Sequence, residues 1–167
     1  FGDFSCLKYR HRPFVDLDEM NATIIANWNA TVSPDDIVYC LGDFATTDGD
    51  VEHFAPLLNG EIHLLMGNYE VQRDRAMLER LFAEVIEDPF LFEFELGGGD
   101  HAGPQQLWLC HYPKQRNKQF KTLTAHVHDL AKCWVDALNC GQDCWYFRPI
   151  PIEWVLDHFR SQDEGRY

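Results

Sequence analysis

Four short stretches carry side chains able to bind a cation, and each follows an apolar, strand-like run. They are Leu41-Gly42-Asp43, Met66-Gly67-Asn68, Leu109-Cys110-His111 and Ala125-His126-Val127-His128. Taken singly, each has an ordinary explanation. Aspartate or asparagine after glycine is a common turn residue, and an isolated histidine is more often a hydrogen-bonded core or surface group. Taken together, they describe one site, because ligands of open α/β sheets gather outside the carboxyl ends of the strands. A carboxylate, an amide oxygen and three imidazoles suit a borderline divalent metal such as Mn, Fe, Zn or Co. The two histidines of the H-x-H would point to opposite faces of a regular strand, but where the chain bends they can flank two adjacent ions. Two such ions, about 3.5–4 Å apart and bridged by a carboxylate, are a known device for hydrolysing phosphate esters.

The elements that must position these residues are legible from periodicity. Leu17, Met20, Ile24, Ile25 and Trp28 recur at helical spacing and predict a helix over 16–30, with Asp16 and Glu19 forming an Asp-type capping box. Ser33 to Asp36 is a turn, and Ile37 to Leu41 reads as a short buried strand. A helix over 50–58 follows, then a turn at Asn59-Gly60, a strand from Ile62 to Met66, and a helix over 71–84. Phe90 to Leu96 alternates as a strand. The glycine-rich residues 97 to 104 lack the lysine and following helix of a phosphate-cradling loop and read as a turn. Further strands are expected at Gln106 to Cys110, Leu123 to Val127 and Trp134 to Leu138, and Pro151 is expected to start a last helix. Strand-helix alternation followed by consecutive strands predicts a layered α/β sandwich, as a single domain over 1–167 with no linker or repeat.

The formal charge of -13 argues against broad binding to a nucleic-acid backbone. It leaves a solvated acidic surface, or a face that competes for a basic protein partner. No apolar run approaches the roughly 18 residues of a membrane span, so no membrane role is expected. Cys40 and Cys110 lie in apolar runs, where reduced buried thiols are expected. Cys133, Cys140 and Cys144 cluster without the second close pair of a zinc knuckle. A cytoplasmic location is expected from this cysteine usage.

At the residues above, the chain resembles the calcineurin-like metallophosphoesterases, in particular a small single-domain branch common in bacteria and phages. That branch reads D-x-H-F-G-H, N-R-P-F, G-D-F, G-N-H-D, H-Y-P, G-H-x-H and Y-R-P-I. Here the corresponding stretches are F-G-D at 1–3, H-R-P-F at 11–14, G-D-F at 42–44, G-N-Y-E at 67–70, H-Y-P at 111–113, A-H-V-H at 125–128 and F-R-P-I at 147–150. The resemblance implies an α/β/β/α sandwich and a two-metal centre. Asn68, His111 and His126 would hold one ion, Asp43 would bridge, and His128 would belong to the other ion. The family's D-x-H pair would precede Phe1, together with the strand the family places in the sheet, so the second metal site is incomplete in this chain.

Other departures lie inside the sequence. Asp3 stands where the family usually has histidine, and Glu70 replaces aspartate. Tyr69 replaces a histidine that, in the family, binds the phosphate or protonates the leaving oxygen. With an unperturbed pKa near 10, a phenol is a far weaker acid at neutral pH. Ala125 replaces glycine, which puts a methyl group where the backbone needs unusual torsions.

The resemblance implies a metal-dependent hydrolase of phosphomonoesters or phosphodiesters. Water activated by metal would attack phosphorus, with catalytic roles for Asp43 and Tyr69. Arg12 and Arg148 are candidates for neutralising the substrate, each weighed against a structural salt bridge. The alternative is a degenerate relative that acts by binding a partner, such as a phage-encoded inhibitor.

Overall fold

The computed structural model describes residues 1–165. A short helix absent from the sequence reading, α1 (Phe4–Tyr9), opens the chain and is capped by Asp3, which accepts the Cys6 N–H at 2.8 Å. Six residues are too few for a helical period to stand out. The next helix, α2 (Leu17–Thr31), starts as expected: Asp16 accepts the Glu19 N–H at 2.8 Å, while Glu19 reaches back to the Val15 N–H. Its apolar stripe buries Met20 and Ile24.

Three parallel strands form the first sheet in the order β1 (Ile37–Cys40), β2 (Glu61–Leu65) and β3 (Glu84–Ile86). Between them run α3 (Asp48–Phe54), extended by a 3-10 turn at Ala55–Leu57, and α4 (Arg75–Leu81). The expected helix over 71–84 is thus a 3-10 turn at Glu70–Gln72, a break, then α4. Its last expected residue, Glu84, begins β3 instead. The restart is set by Asp74, whose carboxylate caps α4 through the Ala76 N–H.

The second sheet runs β4 (Phe90–Leu96), β5 (Gly103–Leu109), β6 (Thr122–Thr124) and β7 (Ala137–Asn139), antiparallel between β4 and β5 and parallel thereafter. β5 starts three residues before the expected Gln106, because Gly103 to Gln105 pair with β4 alone and Pro104 need not donate on the other side. The strands expected at 123–127 and 134–138 shift to β6 and β7, as the chain bends at Ala125 and leaves His126 and His128 outside regular pairing. The last helix, α5 (Ile152–Asp163), begins just after Pro151.

Packing sorts these elements into two cores. Ile62 and Leu64 of β2 face α2, α3 and α4, where Met20, Ile24, Val51, Phe54, Met77 and Leu78 are buried. On the opposite face, Leu41 and Leu65 meet Leu107, Leu109, Leu123 and Leu138 of the second sheet, with Val155 and Phe159 of α5 in the same core. The result is mixed α/β, with helices on one face of the parallel sheet and a second sheet on the other. Among the described residues no helix is long and apolar enough to cross a membrane.

The loops leaving β1 and β2 are locked together by one carboxylate. Glu70, 1% exposed, accepts the backbone N–H groups of Asp43, Phe44 and Gly67, each at 2.8 Å. In return, Asp43 accepts the Tyr69 N–H at 3.0 Å. The loops are in backbone contact, since a Cβ on Gly42 would lie 2.5 Å from the Gly67 nitrogen. Glu70→Gln replaces an acceptor-only group with one that also donates, so at least one N–H loses its partner. A loss of about 2–3 kcal/mol is expected, read as a lower urea midpoint at unchanged slope.

Candidate metal centre

Asp43, Asn68, His111 and His126 converge at the carboxyl ends of β1, β2, β5 and β6. His111 is 2% exposed, and its Nδ1 donates to the Leu41 carbonyl at 2.7 Å. A carbonyl can only accept, so this bond fixes the tautomer and turns the Nε2 lone pair inward. Nε2 then lies 3.1 Å from His126 Nδ1, 3.2 Å from Asn68 Oδ1 and 3.4 Å from Asp43 Oδ2, while His126 Nδ1 is 4.0 Å from that carboxylate oxygen. A cation bound at about 2.0–2.2 Å sets its ligand atoms roughly 3.0–3.5 Å apart. The donor set fits a divalent ion: in the neutral tautomer the His111 Nε2 lone pair faces an imidazole nitrogen, an amide oxygen and a carboxylate oxygen. Among the described residues, Asp43, His111 and His126 form the only such triad of His, Cys, Asp or Glu.

The protonation behaviour has the same origin. Burial opposes a charge on His111, yet Asp43 and the Leu41 carbonyl outweigh it and hold its pKa above the usual imidazole range. Burial and the neighbouring His111 push His126 down. Burial would raise Asp43, but hydrogen bonds from His111 and the Tyr69 N–H hold it below the usual carboxylate range. A proton on His111 therefore occupies the ground a metal would take.

The backbone is strained at these residues. Asp43, His126 and His128 all have positive φ, at 58°, 69° and 51°, a conformation costing about 1–3 kcal/mol each in non-glycine residues. The expected strain at Ala125 falls instead on His126, so the alanine methyl is accommodated and 9% exposed in the inter-sheet core.

His128 does not join the triad. Both its ring nitrogens lie 3.7 Å from Cys6 Sγ, and its Nδ1 is 3.3 Å from Asp143 Oδ2. Asp143 in turn receives a two-armed ion pair from Arg12, Nε at 2.7 Å and the second arm at 2.8 Å. Arg12 is buried, so of its two weighed roles the geometry gives the structural salt bridge rather than a free substrate contact. Arg148 is exposed and lines the groove beside the site.

Asp3 and Tyr69, two of the departures noted in the sequence, are bonded to each other. The Tyr69 hydroxyl donates to Asp3 Oδ2 at 2.7 Å. Burial and that carboxylate raise the phenol well above its ordinary pKa, which removes it further from general-acid duty. The clamp of Glu70 and the orienting carboxylate Asp143 went unread in the sequence. An acidic residue three positions beyond Gly67 is the only signal for the first, and nothing local marks the second. All six cysteines are free thiols.

No family model matches the sequence. Over 73 residues it is 41% identical to the uncharacterized protein MJ1445 of Methanocaldococcus jannaschii, a match covering 42% of each chain, so the chain spans well under half of that relative. Its fold is shared with the protein of unknown function AQ665 from Aquifex aeolicus, at a TM-score of 0.66 and 19% identity over 94% of both chains.

The Arg12–Asp143 pair yields a stability prediction. Asp143 is held down to about 2, against burial, by His128 and Arg12. A depressed carboxylate stabilises the fold above its unfolded value near 3.9 and loses that contribution as pH falls through the folded value. Acid titration of wild type should therefore show a loss on the order of 2 kcal/mol between about pH 4 and pH 2, absent in Asp143→Asn. At neutral pH Asp143→Asn should itself cost about 3–5 kcal/mol by chemical denaturation, since it leaves Arg12 buried and unpaired.

Proposed function

We propose that this chain is a metal-dependent phosphoester hydrolase of the calcineurin-like type, with the family's layered sandwich and Asp43, Asn68, His111 and His126 as the ligands of one divalent ion. The observation that carries this reading is His111: its Nδ1 is spent on a main-chain carbonyl while Nε2 faces an imidazole, an amide oxygen and a carboxylate. Mn, Fe, Zn and Co all suit that donor set. Bound there, such an ion would polarise a phosphoryl oxygen and acidify a water for attack on phosphorus. The protein's own part is positional. Leu41 fixes the His111 ring, Glu70 holds the two loops at a set separation, and exposed His126 leaves the site open to substrate.

The leaving oxygen receives little help from this chain. With the Tyr69 hydroxyl committed to Asp3, substrates with good leaving groups, such as aryl phosphodiesters, are favoured over alkyl phosphates. A partner-binding protein that keeps one ion for structure is the second reading. It is favoured by the diversion of His128 to Asp143 and Cys6, away from the triad.

Metal analysis of purified protein, beside hydrolysis of a nitrophenyl phosphodiester with added Mn, separates the two. One ion per chain and Mn-dependent turnover are expected, both lost in His111→Ala. Bound metal without turnover would leave the partner-binding reading. Metal affinity should weaken as pH falls from about 8 to about 6, because the proton held on His111 competes for Nε2. In Tyr69→His the aryl substrate should be hydrolysed little faster and an alkyl phosphate about a hundredfold faster, the low end for general-acid catalysis.

A further inference from the structure

Residues 101–128 contain no aspartate or glutamate, although the chain carries 27 of them and a formal charge of -13. The same stretch holds His111, His126 and four cations, Lys114, Arg116, Lys118 and Lys121. Two of the four are spent on carboxylates, Arg116 on Asp136 at 3.6 Å and Lys121 on Asp163 at 2.5 Å. Lys114 and Lys118 are exposed, and among the described residues neither pairs with a carboxylate. The Lys114 ammonium lies instead over the Tyr112 ring, 5.0 Å from its centroid.

That ring is a wall of the metal centre. Its centroid is 4.7 Å from the His111 ring and 4.4 Å from that of His126, the ligand whose side chain is 38% exposed. The turn that carries Lys114 is firmly held. Pro113 opens a 3-10 turn over Pro113–Gln115, closed by the Gln115 N–H donating to the Tyr112 carbonyl at 2.9 Å. The Gln115 side chain accepts the Tyr112 N–H at 3.1 Å, and the Trp108 indole of β5 donates to the Gln115 carbonyl at 2.9 Å. The main chain on either side of the lysine is thus tied down, and its ammonium is kept beside the site. A cation in that place repels a bound metal ion unless an anion lies between the two. Arg12 leaves this role open, since its guanidinium is committed to Asp143.

We propose that Lys114, propped on Tyr112, binds a second phosphate of the substrate, so that the preferred substrate is a phosphoester of a sugar or nucleoside bearing another phosphate. The assignment rests on the reading of Asp43, Asn68, His111 and His126 as a metal centre. Spacing selects the class. Lys114 Nζ and the His126 ring lie 5.0 Å and 4.4 Å from the centre of one phenol ring. A phosphoryl group on the ion and a phosphate at Lys114 are therefore set apart by the width of an aromatic side chain. A sugar spans that gap, and the single bridging oxygen of a pyrophosphate does not. Charge limits the size, because the acidic remainder of the surface disfavours a longer polyanion.

The test is calorimetric binding to the Mn-loaded protein, after free metal is removed, of thymidine 5′-monophosphate, thymidine 3′,5′-bisphosphate and pyrophosphate. The bisphosphate should bind about tenfold more tightly than the monophosphate, the scale of one charge-assisted hydrogen bond. Lys114→Gln should abolish that difference while leaving the monophosphate unchanged, which also shows that the variant is folded. Lys114→Arg should restore most of it. Lys121→Gln, the same change of charge at the amino end of β6 and away from the ligands at its carboxyl end, should leave the difference intact. An equal loss in Lys121→Gln would overturn the assignment in favour of a diffuse field. Loss of monophosphate affinity in Lys114→Gln would move the lysine to the scissile phosphate, and tightest binding of pyrophosphate would make the substrate an anhydride. Metal and monophosphate binding with no preference for the bisphosphate would sink the Lys114 site alone. Absence of bound metal, with neither nucleotide binding, would sink the hydrolase reading and this site with it.

Discussion

One buried carboxylate sets the geometry on which the site depends. Glu70 gathers three main-chain N–H groups from two loops that would otherwise diverge after β1 and β2. Without it, those donors would lose their partners, and of the hydrogen bonds that hold the close approach of Gly42 and Gly67 the one between Asp43 and the Tyr69 N–H would remain. Asp43 and Asn68 reach a common point because their backbones are pinned first. The left-handed torsions at Asp43, His126 and His128 are tolerated for the same reason: the surroundings determine the chain path, and the local conformer follows.

Electrostatics divides the neighbourhood into two compartments. In one, Asp43 faces the imidazoles of His111 and His126, and charge is unbalanced in favour of a cation. In the other, Arg12 already supplies a fixed cation to Asp143, and His128 leans on that pair rather than on the triad. A buried, two-armed guanidinium is costly to desolvate and gives back its full value only with its carboxylate in place. The second compartment is therefore closed on itself, while the first remains open toward solvent at His126.

Much of this was legible in the sequence because the signals are local. The apolar runs placed β1, β2 and β4 within a residue or so, and the residues just beyond the strands marked four corners of the candidate site. What was missed depends on distance along the chain. The helix read over 71–84 breaks because Asp74 caps a new start and Glu84 pairs with His63 in a neighbouring strand, and no window of sequence contains that pairing. The H-x-H was read as two ligands flanking two ions. Both histidines do sit at a bend, but the direction of His128 is decided by Asp143 and Cys6, 15 and 122 positions away. Glu70 looked like a conservative exchange of charge, and its three backbone partners became visible only when two loops were brought together.

The bond between Tyr69 and Asp3 has an evolutionary consequence. The hydroxyl and carboxylate satisfy each other across 66 positions of chain. A change at either position strands a group of the other: a phenol without its acceptor, or one oxygen of a buried carboxylate without its donor. The two positions are therefore coupled, and a substitution at one changes what the other contributes. Substitutions at the two positions would then be expected to occur together, as one unit of change.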